Sequence, residues 1–139
     1  EISNEIIDKV IKPVLGNVVY EEPHVVELFG NKWKGKADII ASNCLIDLKT
    51  TGDIKKFKRS ANLYNYDSQA YIYQELFGKP LIFLVIDKTT HALGIFRPSE
   101  DFIRRGELKV ERAIEVYNKF FSEDAQHTIE DYFIEEYID

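Results

Sequence analysis

Asp38, Asp47 and Lys49 lie within two segments that have the pattern of β-strands, and this feature constrains the fold most. The first segment reads Trp33-Lys34-Gly35-Lys36-Ala37-Asp38-Ile39-Ile40, and the second reads Leu45-Ile46-Asp47-Leu48-Lys49. Their alternation has the two-residue period of a strand with two different faces. An ion buried in a sheet costs several kcal/mol unless it is paired or metal-bound. Asp38, Asp47 and Lys49 therefore either pair with one another or bind a ligand.

These three side chains are expected to meet. A period of two places Asp47 and Lys49 on one face of their strand, and the turn at residues 41–43 brings Asp38 alongside them. Two carboxylates suit a hard cation such as Mg²⁺ or Mn²⁺, and a neighbouring lysine can hold or activate a water. The alternative is a plain salt bridge at a strand edge. The spacing alone leaves a phosphodiester-hydrolysis site and a structural ion pair both open.

The first third of the chain predicts a helix followed by strands. Apolar residues at positions 2, 6, 7, 10 and 11 share one helical face before Pro13. The strand-like segments that follow are 18–20, 25–29, 33–40 and 44–49. We expect these strands to pair in sequence order as a small antiparallel meander.

The rest of the chain alternates between helical and strand patterns. Asp53 is a candidate N-cap for a basic helical stretch through Arg59, and a second helix over residues 67–77 should end at Gly78. Strands are predicted over 81–87 and 92–97, then a long helix from Pro98 to Phe120 with an interruption near Gly106, and a terminal helix in the acidic tail. The predicted fold is a mixed α+β domain, with a mostly antiparallel or mixed central sheet flanked by helices.

Positive charge is concentrated in one part of an acidic chain. The 18 Lys and Arg residues against 24 Asp and Glu residues give a net charge of −6, yet residues 32–59 carry a net +5. Such a segment can bind a polyanion while the acidic remainder keeps the chain soluble, although a solvated face would look the same. The residues expected to contact DNA phosphates are Lys55, Lys56, Lys58 and Arg59.

Several classes of protein are excluded by what the sequence lacks. Cys44 is the only cysteine, so an intrachain disulfide and a cysteine zinc finger are ruled out, and a reducing cytoplasm is favoured. There is no GxxxxGK[ST], GxGxxG, GxSxG or HExxH motif, and no apolar run approaches the ~20 residues of a membrane helix. The chain has no methionine and opens at Glu1, so we expect its native start to lie upstream.

Three motifs in order resemble the PD-(D/E)xK nuclease superfamily, and more narrowly its RecB/RecE-type exonuclease branch. That branch has the pattern GxxD, then (D/E)xK-T, then a helix bearing QxxxY. The matching segments are Gly35-Lys36-Ala37-Asp38, Leu45-Ile46-Asp47-Leu48-Lys49-Thr50-Thr51 and Tyr66-Asp67-Ser68-Gln69-Ala70-Tyr71-Ile72-Tyr73. The basic stretch over residues 53–59 is also similar to the RecE-type catalytic domain. The resemblance covers roughly Trp33 to Phe121 and implies a restriction-endonuclease-like core.

The resemblance assigns roles to the charged residues of the strands. Asp38 and Asp47 would be metal ligands together with the Leu48 carbonyl, and Lys49 would orient the attacking water. RecB/RecE-type nucleases also use a His or Glu from an upstream helix. Residues 5 (Glu) and 8 (Asp) could take that place, unless the helix that carries the ligand is missing from this chain.

The helix that follows would complete the site. Gln69 and Tyr73 are four residues apart, so they share one helical face and could hold Lys49 or a DNA phosphate. Ordinary helix packing is the alternative for both residues.

The resemblance also implies a function for the whole chain. The expected activity is Mg²⁺-dependent (or Mn²⁺-dependent) 5′→3′ exonuclease cleavage of linear double-stranded DNA in phage or prophage recombination. The expected partners are DNA, a strand-annealing protein and further copies in a homo-oligomeric ring, with no membrane. The alternatives are an endonuclease with the same site, or a DNA-binding or assembly module with a degenerate site. Residues 1–139 would form one nuclease-like domain, with its core over about 17–121 and an acidic tail over 122–139.

Overall fold

The strand-like segments form two separate sheets in the computed structural model, which describes residues 19–20, 23–121 and 135–138. The first half of the chain contains β1 (Val19–Tyr20), β2 (Pro23–Leu28), β3 (Asn31–Lys36), β4 (Ile39–Ile40) and β5 (Leu45–Thr51). The second half contains a 3₁₀ turn (Ile54–Lys56), α1 (Phe57–Leu63), α2 (Tyr66–Phe77), β6 (Leu81–Asp87), β7 (Leu93–Phe96) and α3 (Glu100–Phe121). The predicted mixed α+β class is confirmed.

The main sheet has five strands in the order β1-β4-β5-β6-β7. β5 and β6 are parallel, with Asp47 beside Phe83 in the register, and the other pairs are antiparallel. Parallel neighbours need a long crossover connection, and here it contains the 3₁₀ turn, α1 and α2. β4 is short, because it pairs with β5 only through Ile39 with Ile46 and Ile40 with Leu45.

The expected single meander is wrong, because β2 and β3 form a sheet of their own. Their two-residue turn has positive φ at Phe29 and Gly30, which matches the right-handed twist of a hairpin. One face of this hairpin packs against α2 and α3 through Leu28, Tyr71 and Val110. The alternating segment 33–40 therefore contains two strands, β3 and β4, which belong to different sheets.

The predicted helices after β5 are confirmed. The Asp53 carboxylate accepts a hydrogen bond from the Lys55 N–H at 3.0 Å, which caps the turn that leads into α1. α2 ends at Gly78, whose φ of +66° closes the helix while its N–H donates to the Gln74 carbonyl. β6 and β7 follow as an antiparallel pair, as expected.

The predicted interruption of the long helix is wrong, because α3 runs without a break through Gly106. A Cβ at Gly106 would lie 2.0 Å from the backbone oxygen of Asp67. Glycine is needed there because α2 and α3 touch backbone to backbone, so its role is packing and not a break in the helix.

Two predicted elements lie largely outside the described residues. These are the helix over residues 2–11 and the terminal helix of the acidic tail, of which residues 135–138 have no regular secondary structure. Among the residues that are described, no helix combines the length and apolar character needed to cross a bilayer.

The helices cover one face of the main sheet. Leu45, Phe83 and Val85 on that face pack with Phe57 of α1 and Ala70 of α2. Side chains alternate along a strand, so Asp47 and Lys49 lie on the same face as Leu45 and point toward the helices. The charged residues of β5 are thus placed under α2, inside the fold.

Candidate active site

The strand register brings the two predicted carboxylates together. Ile39 pairs with Ile46, so Asp38 comes just before β4 and next to Asp47. The Leu48 N–H donates to Asp38 Oδ2 at 2.9 Å, which fixes the Asp38 side chain beside β5. The structure places Asp38 on a bend between β3 and β4, where side-chain position depends on this hydrogen bond and not on a ladder.

Asp47 is buried with fewer donors than a carboxylate needs. It is 5% exposed. Gln69 Nε2 donates to Asp47 Oδ1 at 3.4 Å, and Lys49 Nζ lies 3.1 Å from Oδ2. This ion pair does not have the angles of a hydrogen bond, so Oδ2 is a buried oxygen without a hydrogen-bond donor. An unsatisfied buried oxygen of this kind is costly unless a ligand completes it.

Burial raises the pKa of Asp47 to about 6, against 3.8 for a free aspartate. Loss of hydration is the main cause, the Lys49 ammonium opposes it, and the neighbouring Asp38 carboxylate adds to it. Two converging carboxylates predict a raised pKa through repulsion. The direction agrees with that prediction, but desolvation is the larger cause.

Lys49 is held between a carboxylate and an aromatic ring. Its ammonium lies 4.3 Å from the centre of the Tyr66 ring, in the geometry of a cation–π contact. The sequence did not predict this contact of Tyr66. The signal that could have found it is spacing, because Tyr66 precedes Gln69 by three residues and so shares its helical face.

Gln69 and Tyr73 share one face of α2, but in the described part of the chain only Gln69 hydrogen-bonds to a charged residue of β5. Gln69 contacts Asp47, whereas the sequence predicted that it would hold Lys49 or a DNA phosphate. Tyr73 packs farther along, against Phe77 and Gly35, where a Cβ would lie 2.9 Å from the Tyr73 ring. No hydrogen bond joins Tyr73 to Asp47 or Lys49 within the described residues. The glycine of the GxxD motif thus lets α2 approach β3, while the role of Tyr73 in the site stays a prediction.

Comparison with known proteins identifies the family of this chain. The model of a PDDEXK-like domain of unknown function (DUF3799) matches residues 12–129. The chain belongs to this family. No curated protein matches it.

Two solved structures resemble the PDDEXK-like domain. A presumed exonuclease from Eubacterium rectale superposes with a TM-score of 0.62 and 20% identity, over 98% of this chain and 60% of its own. The protein SSO0001 superposes with a TM-score of 0.50 and 25% identity, over 81% of this chain and 56% of its own. The chain therefore spans at most about 60% of the length of these proteins. The predicted PD-(D/E)xK nuclease fold with its restriction-endonuclease-like core is confirmed.

The basic residues predicted to contact DNA lie on the segment that leaves β5. Lys55 and Lys56 belong to the 3₁₀ turn and Lys58 and Arg59 to α1, and all four side chains are exposed. The stretch therefore presents its positive charge to solvent, close in sequence to Lys49.

A second buried carboxylate, Asp87, anchors this basic segment and was missed by sequence reasoning. Asp87 Oδ2 accepts a hydrogen bond from the Ile54 N–H at 3.0 Å, and Oδ1 accepts from the N–H groups of Thr89 and Thr90. These three donors hold the pKa of Asp87 below its ordinary value. The end of β6 thus fixes where the basic turn begins.

The described residues supply part of the ligand set that a hard cation needs. Asp38, Asp47 and the Leu48 carbonyl offer only oxygen ligands, the kind that Mg²⁺ and Mn²⁺ prefer. The unsatisfied Oδ2 of Asp47 is the atom that such an ion would complete. In the described part of the chain, no group of three Asp, Glu, His or Cys side chains converges. The candidate third ligands at positions 5 and 8 lie outside the described residues.

Proposed function

We propose that this PDDEXK-like domain hydrolyses phosphodiester bonds of DNA, using a divalent cation held by Asp38, Asp47 and the Leu48 carbonyl. The observation that carries the proposal is that the buried aspartates differ in whether all their oxygens have a partner. Asp67 is ion-paired with Lys109 at 2.7 Å and accepts a hydrogen bond from a backbone N–H, and both oxygens of Asp87 accept hydrogen bonds. Of the buried aspartates in the described residues, Asp47 alone keeps an oxygen without a donor.

A structural ion pair explains this arrangement less well. If Asp47 served only to pair with Lys49, the ammonium would be expected to donate a well-aligned hydrogen bond to it. Instead Lys49 is shared between Asp47 and the Tyr66 ring, and loss of hydration outweighs its attraction, so the pKa of Asp47 rises to about 6. A cation beside the carboxylate would reverse that cost by stabilising its ionised form.

The residues of the chain have separable tasks in this reaction. A cation held by Asp38, Asp47 and the Leu48 carbonyl would supply an activated water and offset charge that develops on the phosphate. Gln69 holds Oδ1 of Asp47, which leaves Oδ2 facing the site. The Lys49 ammonium donates hydrogen bonds to the attacking water and orients it, and the Tyr66 ring limits where that ammonium can move.

The DNA is proposed to lie along the exposed basic stretch. Lys55, Lys56, Lys58 and Arg59 would contact phosphates without reading bases. The resemblance to RecB/RecE-type enzymes supports exonuclease cleavage of linear double-stranded DNA, and the similar Eubacterium rectale protein is named as an exonuclease. The 5′→3′ polarity, the recombination role beside a strand-annealing protein and the homo-oligomeric ring rest on the resemblance to that branch. An endonuclease with the same site is the alternative reaction.

A second candidate is a DNA-binding or assembly module with a degenerate site. It is favoured by the absence of a third converging carboxylate or histidine within the described ranges. This candidate keeps the basic stretch and the fold but predicts no cleavage.

A cleavage assay on linear and circular duplexes separates these functions. We expect Mg²⁺ or Mn²⁺ to support degradation of the linear duplex, EDTA to stop it, and the circular duplex to survive. Products of end-labelled DNA give the polarity, with early loss of a 5′ label indicating 5′→3′ cleavage. Cutting of circular DNA would indicate the endonuclease.

Substitutions in the site test the assignment of residues. Asp38→Ala, Asp47→Ala and Lys49→Ala should each abolish cleavage while the protein stays folded by circular dichroism. Asp101→Ala, at an exposed position in the first turn of α3, is the matched control and should cleave normally. Full activity in any of the three site variants would overturn the proposed site. DNA binding without cleavage by the wild type, even in a longer form of the protein that supplies upstream residues, would favour the second candidate.

A further inference from the structure

An aromatic pocket lies beside the proposed site, between α1, β7 and the beginning of α3. Its cavity measures about 400 Å³, within the range of ligand-binding clefts. Four phenylalanine rings line it: Phe57 and Phe83, each 2% exposed, belong to the core beneath it, and the partly buried Phe96 and Phe102 offer the accessible ring surface. Phe57 packs 4.7 Å from Phe96 and 5.9 Å from Phe83, measured between ring centres, so the wall is continuous.

The rim of this pocket is cationic. Lys58, Arg97 and Arg105 line it, and its lining contains no Asp or Glu. None of the three forms an ion pair with a carboxylate in the described part of the chain. Arg105 donates a hydrogen bond to Asn62 Oδ1 at 3.3 Å and lies 5.8 Å from the centre of the Phe102 ring, so its guanidinium is held at the rim.

We propose that this aromatic pocket receives one unpaired nucleotide of a DNA strand. Each base has an apolar π-face that stacks on aromatic rings whatever its sequence, and each nucleotide carries one phosphate charge that arginine binds well. A ring-lined cavity bordered by three cations and no carboxylate matches both halves of a nucleotide. An apolar peptide would leave the rim uncompensated, and a fully paired base could not enter the cavity.

The position of the aromatic pocket connects it to the proposed reaction. Lys58 belongs both to the rim and to the basic stretch proposed to follow the DNA. On the other side, the Tyr66 ring contacts Lys49 at 4.3 Å and lies 6.0 Å from Phe57, measured between ring centres. The pocket and Lys49 are therefore joined through packed aromatic rings, and Lys58 connects the pocket to the proposed DNA path. This inference rests on the proposed DNA substrate and adds that the bound strand is locally unpaired.

Binding without cleavage tests the pocket separately from the nuclease activity. Fluorescence anisotropy in EDTA measures the affinity for an end-labelled octamer of thymidine and for an abasic octamer with the same number of phosphates. We expect the thymidine octamer to bind at least fivefold more tightly than the abasic one, because only its bases can stack.

Variants at the rim and the wall locate the binding site. Arg97→Gln and Arg105→Gln should each weaken binding of the thymidine octamer about tenfold, whereas Arg112→Gln, an exposed position on the same helix as Arg105, should not. Ile95 lines the pocket and is 64% exposed, so Ile95→Glu, which adds a negative charge beside the nucleotide, should weaken binding. Phe102→Leu should remove the preference for thymidine over abasic DNA and leave the abasic affinity unchanged.

Three results would overturn the inference. The first is equal affinity for the two octamers, and the second is rim variants that bind as tightly as Arg112→Gln. The third is competition by thymidine monophosphate as strong as that by the octamer, which would indicate a free-nucleotide site. Thermal melts verify that each variant is folded at the assay temperature. Because EDTA removes cleavage from the measurement, failure of the pocket leaves the nuclease assay intact. A protein that binds as expected but never cleaves would refute only the proposed reaction.

Discussion

Asp47→Asn removes one negative charge and almost no volume from a side chain that is 5% exposed. The pKa of Asp47 is about 6 in the folded protein and 3.8 in the free amino acid. Each pKa unit corresponds to about 1.4 kcal/mol, so ionised Asp47 lowers the free energy of unfolding by about 3 kcal/mol. Without metal and above pH 7, the asparagine variant should therefore be more stable than the wild type, by up to this amount.

Because the pKa of Asp47 is raised in the folded protein, the stability difference between the two proteins depends on pH over a defined range. Near pH 4 and below, the carboxyl is protonated in the folded chain and at least partly protonated in the unfolded chain, so the two proteins should differ little in stability. As the pH rises from about 4 to about 6, the unfolded chain loses its proton first and the wild type is progressively destabilised. Above the folded pKa the difference should be constant. A group with a lowered pKa would show the opposite trend.

Urea denaturation in EDTA at pH 4 and pH 8 measures this difference. Glu75→Gln changes an exposed carboxylate on α2 and is the matched control, expected to leave stability within about 0.5 kcal/mol of the wild type. An Asp47→Asn variant that is less stable than the wild type at pH 8 would refute the reasoning. It would show that the carboxylate stabilises the fold through Lys49.

Adding Mn²⁺ in the same assay tests the metal site. An ion that binds only the folded state adds RT ln(1 + [L]/Kd), or about 2.7 kcal/mol at a hundredfold excess over Kd. The wild type should gain this stability and Asp47→Asn should not. A wild type that shows no metal-dependent gain would remove the basis for a cation at Asp47.

Further predictions concern DNA contact and the framework of the site. Replacing Lys56 and Arg59 with alanine should weaken binding to all duplex sequences alike and lower the slope of log K against log salt by about 1.8, as measured by anisotropy titrations; an unchanged slope would place both residues outside the DNA path. Gly106→Ala should cost about 2 kcal/mol or more in urea denaturation, because its Cβ would lie 2.0 Å from the Asp67 carbonyl oxygen; wild-type stability would show that the helices separate freely. Asp87→Asn should lower the melting temperature at neutral pH, and the loss should shrink as the pH falls through the lowered pKa of the wild-type carboxyl; a loss independent of pH would contradict this.

The sequence predicts the site better than the framework that surrounds it. Asp38, Asp47 and Lys49 could be found because a charge inside an apolar alternation is costly and therefore informative, and because strand period and turn length are local properties. The motif order places Gln69 near the site, but its contact with Asp47 and the contact of Tyr66 with Lys49 depend on how α2 lies over β5.

Other features depend on tertiary contacts that leave no local signal. The alternation that includes Trp33 and Ile39 continues unbroken from one sheet into another, so periodicity could not show that β3 and β4 belong to different sheets. Gly106 has the sequence signature of a helix break, yet it marks the point where two helix backbones touch. Asp87 is an isolated aspartate at a strand end, and its three backbone donors come from two different loops.

Because β4 is short, part of the edge of β5 is left without a neighbouring strand among the described residues, and this gap is a notch in the main sheet. In the described chain, β5 has no ladder partner on the β4 side from Asp47 onward. The N–H and C=O of one strand residue point to the same side, and the Leu48 N–H donates to Asp38, so the Leu48 carbonyl also points into the notch. A β4 longer by two residues would extend the ladder to Leu48 and occupy that carbonyl. The sheet would become more regular, and the backbone oxygen that the proposed cation needs would be occupied by the ladder.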